Sequence, residues 1–253
     1  MTDVAVRDAA TVVLLRDGTA GIEVWLLTRT TQMVFAGGMA VFPGGRVDDA
    51  DAELPFSGLV DGSVAARFGC APNQARALIG AAVRETFEET GVLLTVPSAD
   101  LSDARSAVEA GRLSFGELLR ANKLAVDADA LHPWSRWVTP AGEVRRYDTH
   151  FFVGAIPAGV EAQDVTSESS SAGWFGVADA LEQAQRGKLG MLPPTIMTLA
   201  SLAGFATVAE AVAASAQRVL DPVRPTITQS PDGSYLAELP DGTSFALPRS
   251  LFP

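Results

Sequence analysis

Residues 81–94 read Ala81-Ala-Val-Arg-Glu-Thr-Phe-Glu-Glu-Thr-Gly-Val-Leu-Leu94. The pattern predicts an amphipathic helix that ends at Gly91, because apolar side chains recur at helical spacing and glycine commonly caps a C-terminus. In such a helix Glu85, Glu88 and Glu89 share one face and repel one another. The segment is therefore typical either of a solvated acidic surface or of a carboxylate site for a hard divalent cation.

The flanking sequence predicts one mixed α/β domain. Segments 9–15 and 22–27 enclose an Asp-Gly turn signal and predict a β-hairpin, and 145–156 is the clearest strand. Proline favours the first turn of a helix, so we predict the long helix from Pro72 to Thr90. Further predicted elements are a strand over 92–95, a loop over 159–172, helices over 195–203 and 207–220, and short strands over 226–247.

Composition narrows the class of protein. The chain has 253 residues, of which 47% are hydrophobic, enough for a sizeable core. It has no apolar run long enough to cross a bilayer and no secretory signal at its start, so we expect a cytoplasmic protein without a membrane partner. Cys70 has no second cysteine to pair with, which fits a reducing compartment. A net charge of −11 argues against a nucleic-acid partner.

A second motif lies upstream of the acidic helix. Phe42-Pro-Gly-Gly45 is followed by Asp51, and the acidic segment continues to Val92. Together they resemble the two halves of the Nudix box, Gly-x5-Glu and Arg-Glu-U-x-Glu-Glu-x-Gly-U, where U is aliphatic. The chain is thus similar to a Nudix hydrolase whose box is interrupted by residues 52–83, with Asp51 in place of glutamate.

The interrupted box resembles in particular the peroxisomal-type coenzyme A diphosphatases of the Nudix superfamily. Similar stretches extend the resemblance over roughly residues 9–205; they lie at 131–140, 145–152, 168–174 and 192–195. The resemblance implies a Nudix α/β/α sandwich over 1–220 with a helical insertion at about 52–75. Residues 221–253 are predicted to form a small β appendage outside it.

The resemblance also implies the catalytic residues and the metal ligands. Divalent Mg²⁺ or Mn²⁺ would be held by Glu85, Glu88 and Glu89 together with the backbone carbonyl of Gly44. Arg84 would orient the carboxylates. Glu168 would act as a further ligand or as the base that activates water, with an acidic, solvated loop as the alternative reading of its surroundings.

Substrate-binding residues follow from the same resemblance: Arg29, Gly45, Arg46, Arg145 and Arg146. For Arg145 and Arg146 the alternative is an exposed start of a strand without a role in binding. Val34 occupies the position at which coenzyme A-directed relatives often carry a second arginine. This departure concerns the identity of the substrate and does not affect the residues implied for hydrolysis.

Three hypotheses about function follow. The first is hydrolysis of coenzyme A or acyl-coenzyme A to 3',5'-ADP and (acyl) phosphopantetheine. The second keeps the chemistry but takes NADH or a nucleotide sugar as the small-molecule nucleotide substrate. The third is a nucleotide-binding Nudix domain without turnover. A homodimer through the Ala-rich helices after Pro194 or through the C-terminal strands is the predicted assembly.

Overall fold

The computed structural model describes most of the chain, namely residues 4–30, 37–58, 62–141, 143, 145–163, 169–230 and 233–247. Its helices are α1 (Gly62–Phe68), α2 (Pro72–Thr90), α3 (Arg105–Glu109), α4 (Phe115–Ala121), α5 (Val177–Gln185), α6 (Pro193–Leu202) and α7 (Val208–Ser215). Short 3-10 helices occupy Asp49–Glu53, Ser102–Ala104 and Ala128–Ala130. None of the helices in these ranges is long and apolar enough to span a membrane.

The strands in the same ranges are β1 (Val6–Gly18), β2 (Gly21–Arg29), β3 (Ala40–Val41), β4 (Gly44–Arg46), β5 (Phe56–Ser57), β6 (Thr95–Val96), β7 (Ala125–Asp127), β8 (His132–Val138), β9 (Arg146–Ala155), β10 (Ser169–Gly176), β11 (Thr226–Gln229), β12 (Tyr235–Glu238) and β13 (Ser244–Leu247). The principal sheet has the order β10-β2-β1-β9-β8, with β3 beside β2 and β4 beside β1. Strands β1 and β9 run parallel, and β1 is antiparallel to β2 and β4.

Both faces of the principal sheet are covered by helices. Along β1, Val12 and Leu14 face a core shared with α2, whereas Val13 and Leu15 face a second core shared with α5, α6 and α7. Adjacent side chains of a strand point to opposite faces, so a nearly continuous apolar run is required when both faces are buried. The predicted α/β/α sandwich with a mixed central sheet is confirmed.

The strand predicted over 92–95 is mostly wrong. Only Thr95 enters β6, which pairs with β7 in a small separate sheet. Val92 and Leu94 are buried in the core beneath α2 without belonging to a strand. A short apolar run has the same composition whether it fills a core or joins a sheet, so the sequence alone did not distinguish the two.

The loop predicted over 159–172 is wrong at its C-terminal end. Ser169 pairs with Arg29, and Ala172 pairs with Leu27, in the edge strand β10. Two of its three serines, Ser170 and Ser171, are exposed at the edge of the sheet. Residues 164–168 of the predicted loop lie outside the described part of the chain.

Helix α7 ends earlier than predicted, at Ser215 rather than at residue 220. The Nη2 atom of Arg67 donates a hydrogen bond of 2.6 Å to the backbone oxygen of Ser215. This bond satisfies a carbonyl that the helix end leaves without an intrahelical partner. A side chain of α1, far away in the sequence, thus caps the end of α7.

The segment after α7 contacts the principal sheet and then forms a sheet of its own. Val223 exchanges two backbone hydrogen bonds with β8, to Arg136 and Val138, at 2.8 and 2.9 Å. Strands β11, β12 and β13 form an antiparallel sheet, and this confirms the predicted alternation over 226–247. Leu239 is buried in the core shared with α6. The division into 1–220 and 221–253 stays a prediction.

Candidate active site

Helix α2 carries the acidic residues, and local signals set both of its ends. Pro72 occupies its first turn, and Gly91 ends it in the left-handed conformation, with φ of 73° and a hydrogen bond to the oxygen of Phe87. The apolar face, including Ile79, Val83 and Phe87, is fully buried. The opposite face therefore presents Glu85 and Glu88 to the rest of the site.

Arg84 joins the two halves of the interrupted box. Its Nε and Nη2 atoms donate to the two carboxylate oxygens of Asp51 at 2.8 and 2.9 Å. Asp51 is only 2% exposed and also accepts a hydrogen bond from the backbone N–H of Asp48. A bidentate pair between a guanidinium and a carboxylate is among the strongest polar contacts in proteins.

The same guanidinium reaches the glutamates of α2. Nη1 of Arg84 lies 2.7 Å from Oε1 of Glu85 and 3.5 Å from Oε1 of Glu88. Nη2 also donates to the backbone oxygen of Arg46 at 3.0 Å. Asp51 and Glu85 are therefore closer partners of Arg84 than Glu88 is.

The glutamates are only partly neutralised. Burial raises the pKa of Glu85 to about 7, and the attraction of Arg84 offsets part of that rise. Burial also raises the pKa of Glu88, again against the attraction of Arg84. A buried carboxylate shifts its pKa upward when its negative charge lacks sufficient compensation, so this face favours an additional cation.

Strand β4 fits against the site because two of its residues are glycine. The backbone N–H of Gly44 donates to Oε2 of Glu89 at 2.8 Å. A Cβ atom on Gly44 would lie 2.4 Å from the oxygen of Ala10, and one on Gly45 would lie 2.6 Å from the carboxyl of Glu85. The Gly-Gly pair thus lets a strand pass between β1 and α2.

The carboxylates do not form a finished metal centre. Among the described residues, no three His, Cys, Asp or Glu side chains are arranged so that they could hold a metal ion. The guanidinium of Arg84 lies instead against Glu85 and Glu88. The donor atoms themselves fit a hard divalent cation, because they are carboxylate oxygens on one helix face and their charge is incompletely balanced.

The structure separates the predicted substrate residues into two groups. Arg46, Arg145 and Arg146 line one cavity of about 630 Å³. Gly45 lies instead beside Glu85, and Arg29 lies on β2, where it pairs with β10. Glu168 and Val34 fall outside the described residues.

Sequence reasoning missed three contributors to this region. Asp51 was assigned to the box, but no role was predicted for it. Its spacing from Gly45, which matches the Gly-x5-Glu half of the box, was the feature of the sequence that marked it. Arg7 and Tyr147 line the same cavity as Arg46. No local signal marks Arg7, because strand pairing alone brings it to the other residues.

Comparison with known proteins identifies the family to which the chain belongs. The NUDT19 Nudix domain matches residues 71–202, slightly more than half of the chain. The fold and the Arg84-centred site define an enzyme of the Nudix hydrolase class. Within that class, the chain belongs to the NUDT19 Nudix domain family.

Individual relatives cover most of the chain. Acyl-coenzyme A diphosphatase NUDT19 of Xenopus laevis is 28% identical, over 86% of this chain and 70% of that protein. Putative nudix hydrolase 7 of Caenorhabditis elegans is 29% identical, over 78% of this chain and 60% of that protein. The chain thus spans between 60% and 70% of the length of these two relatives.

A solved structure supports the fold independently. The crystal structure of a Nudix hydrolase from Alicyclobacillus acidocaldarius superposes with a TM-score of 0.70 at 30% sequence identity. The match covers 83% of this chain and 96% of that one. The similarity therefore extends over nearly the whole of that hydrolase.

Proposed function

We propose that this Nudix hydrolase cleaves the diphosphate of coenzyme A or of an acyl derivative, with Mg²⁺ or Mn²⁺ as cofactor. The products would be 3',5'-ADP and (acyl) phosphopantetheine. The observation that carries the proposal is the Arg84-centred cluster, in which Asp51, Glu85 and Glu88 share one guanidinium. The name of the Xenopus laevis relative, an acyl-coenzyme A diphosphatase, supports the choice of substrate.

Each residue of the cluster has a proposed part in this reaction. Glu85, Glu88, Glu89 and the carbonyl of Gly44 would hold the cation, which neutralises the diphosphate and stabilises the leaving oxygen. Arg84 would keep Glu85 and Glu88 in position while Asp51 keeps Arg84 in position. Glu168 would complete the ligand set or activate the attacking water.

A substrate panel tests the proposal. The purified chain is incubated with coenzyme A, acetyl-coenzyme A, NADH and a nucleotide sugar, each with Mg²⁺, with Mn²⁺ and with EDTA. Mass spectrometry in ¹⁸O-labelled water identifies the products and the phosphorus that is attacked. We expect metal-dependent release of 3',5'-ADP, with coenzyme A or its acyl derivative turned over at the highest kcat/KM.

Other outcomes separate the alternatives. Faster hydrolysis of NADH or of the nucleotide sugar would replace the substrate while leaving the chemistry in place. Binding of nucleotides without hydrolysis of any diphosphate would favour the domain without turnover. The homodimer also remains a proposal, and a molar mass of one chain by light scattering would contradict it.

A further inference from the structure

A cavity of about 630 Å³ lies where β1 and β9 begin and β4 ends. Four of its seven lining residues are arginines, and we call it the basic cleft. It is lined by Val4, Ala5, Arg7, Arg46, Arg145, Arg146 and Tyr147. None of these side chains belongs to the acidic helix α2. The basic cleft is therefore distinct from the proposed metal ligands.

Three neighbouring strands build the basic cleft. The parallel pairing of β1 with β9 places Arg7 opposite Tyr147, one residue beyond the pairing of Val6 with Arg146. On the other side of β1, Ala9 pairs with Arg46 of β4. The fold thus gathers cationic residues that are far apart in the sequence.

The charge of the basic cleft is opposite to that of the chain. The protein has a net charge of −11 and only 19 lysines and arginines, yet four arginines line this one cavity. Arg46 pairs with Asp48 at 2.7 Å. Within the described part of the chain, Arg7 and Arg145 form no hydrogen bond or ion pair. Like charges around a small space repel one another, so the cavity favours an anion.

The basic cleft and the carboxylate cluster lie at opposite ends of the short strand β4. Gly44 begins β4 and donates to Glu89, whereas Arg46 ends β4 and lines the basic cleft. Two residues of extended strand span about 7 Å. In addition, the backbone oxygen of Arg46 accepts a hydrogen bond from Arg84. A single small ligand can therefore reach both places.

We propose that the basic cleft binds a phosphate monoester carried by the nucleoside end of the substrate, while the diphosphate lies at the carboxylate cluster. This inference rests on the proposed function and specifies which substrates the site selects. A phosphate monoester carries nearly two negative charges at neutral pH and matches the planar donors of arginine. Tyr147 adds an aromatic ring against which a nucleobase can stack.

A comparison of 3',5'-ADP with 5'-AMP tests the basic cleft without depending on turnover. The two nucleotides differ by one phosphate monoester, and calorimetry on the metal-free, full-length chain measures both affinities. Since hydrogen bonds between charged groups are the strong ones, we expect 3',5'-ADP to bind at least about tenfold more tightly than 5'-AMP.

Variants locate the effect in the basic cleft. In Arg7→Ala/Arg145→Ala the preference for 3',5'-ADP should fall to less than about threefold, since both unpaired cations are gone, while 5'-AMP binds as before. Arg186→Ala is the matched control, because it removes an exposed arginine of the surface pair with Glu182. Circular dichroism and the retained affinity for 5'-AMP show that the variants are folded.

Two results would overturn the inference: equal affinity of the wild type for both nucleotides, or a preference that Arg186→Ala reduces as much as the double variant does. Hydrolysis separates this inference from the proposed function. The wild type should prefer coenzyme A over 3'-dephospho-coenzyme A in kcat/KM, and the double variant should lose that preference. If no diphosphate is cleaved, the proposed function fails, while the affinities still decide the role of the basic cleft.

Discussion

Arg84 is the residue on which the candidate active site depends structurally. It is mostly buried, with 13% of its side chain exposed, and it contacts Asp51 through two hydrogen bonds. Removing one partner of a buried ion pair leaves the other charge uncompensated, which costs more than the pair itself contributes. Asp51 thus holds the guanidinium that contacts the glutamates of α2, although it lies in another part of the sequence.

Asp51→Asn should destabilise the protein. The substitution keeps the shape of the side chain but removes the bidentate carboxylate, so that Glu85 and Glu88 are the remaining charged partners closest to the Arg84 guanidinium. Since hydrogen bonds to charged groups are worth about 1.5–3 kcal/mol, we expect a loss of about 2 kcal/mol in the free energy of unfolding. Urea denaturation measures the change. Asp49→Asn, in the same 3-10 helix but exposed, should change it by less than about 0.5 kcal/mol. Equal effects of both substitutions would show that the Asp51–Arg84 pair contributes no more to the free energy of unfolding than an exposed aspartate does.

Glu88→Gln and Glu89→Gln should reduce activity without loss of the fold. Each change removes a negative charge from the proposed metal site and keeps the shape, so kcat should fall by about 10²-fold or more, the cost typical of losing one charge-stabilising group. Steady-state kinetics with Mg²⁺ measures kcat, and circular dichroism reports the fold. Glu182→Gln on α5, whose side chain is exposed, is the control. Near-normal activity of the Glu88 or Glu89 variants would move the metal site elsewhere.

At the scale of elements, the sequence predicted those helix and strand ends that neighbouring residues determine. Both ends of α2 follow from Pro72 and Gly91, which act within one turn of the helix. The true extent of β10 is set instead by pairing with β2, and the end of α7 is capped by Arg67 from α1. Contacts between distant segments are not encoded by composition within a window, so these boundaries could not be predicted.

The residues of the candidate site were likewise predicted where local spacing determines their position and missed where long-range pairing does. The box glutamates were predicted because Glu85, Glu88 and Glu89 lie on one helix, so spacing alone puts them on one face. The basic cleft was only partly predicted, since Arg145 and Arg146 were candidates but Arg7 was not. Its assembly requires the parallel pairing of β1 with β9, a long-range contact that periodicity does not specify.

Helix α2 packs against the 3-10 helix Asp49–Glu53 through Gly80. A Cβ atom there would lie 2.2 Å from the backbone oxygen of Asp51, which cannot move independently of its chain. The absence of a side chain at this position therefore allows the 3-10 helix to approach α2. The close approach in turn lets the carboxylate of Asp51 reach Arg84.

Gly80→Ala should therefore destabilise the protein, contrary to the usual effect in helices. Alanine in place of glycine normally stabilises a helix interior by about 1 kcal/mol. Here we expect a net loss in the free energy of unfolding, measured by urea denaturation, together with lower activity. Gly116→Ala in α4 is the comparison, because its nearest neighbour is the flexible side chain of Arg120 and its effect should be smaller. A stabilised Gly80→Ala protein would contradict the packing argument.

At the scale of the whole molecule, the central sheet buries a histidine in the core. His150 on β9 has no exposed surface, and its ring lies 4.6 Å from that of Phe68 in an edge-on contact. In the described residues neither ring nitrogen has a hydrogen-bond partner, and the nearest carboxylate oxygen, on Asp148, is 4.0 Å away. Burial lowers the pKa of His150, so the folded state holds the ring neutral.

The whole protein should therefore lose stability on acidification, partly through His150. The unfolded chain takes up a proton below about pH 6.5, whereas the folded state resists it, so this contribution is complete above pH 6.5 and declines below it. The slope is at most about 1.4 kcal/mol per pH unit for one proton. Urea denaturation between pH 7 and pH 5 should show a shallower decline for His150→Phe than for the wild type.

His132, the other histidine of the chain, provides the comparison. Burial also lowers its pKa, so His132→Gln should reduce the same decline by a separate amount. Parallel declines in the wild type and in His150→Phe would show that the ring of His150 accepts a proton in the folded state.

The contact between Asp51 and Arg84 joins positions 33 residues apart, with a folded segment between them. The entropy lost on closing a loop grows only with the logarithm of its length, so doubling the interval costs roughly 0.6 kcal/mol. The pair can therefore be retained while the intervening segment changes in length. We therefore expect that residues can be gained or lost between the two halves of the box without disrupting the candidate active site, provided that Asp51 and Gly80 keep their contact. The interruption is thus a place where the enzyme can acquire new surface during evolution.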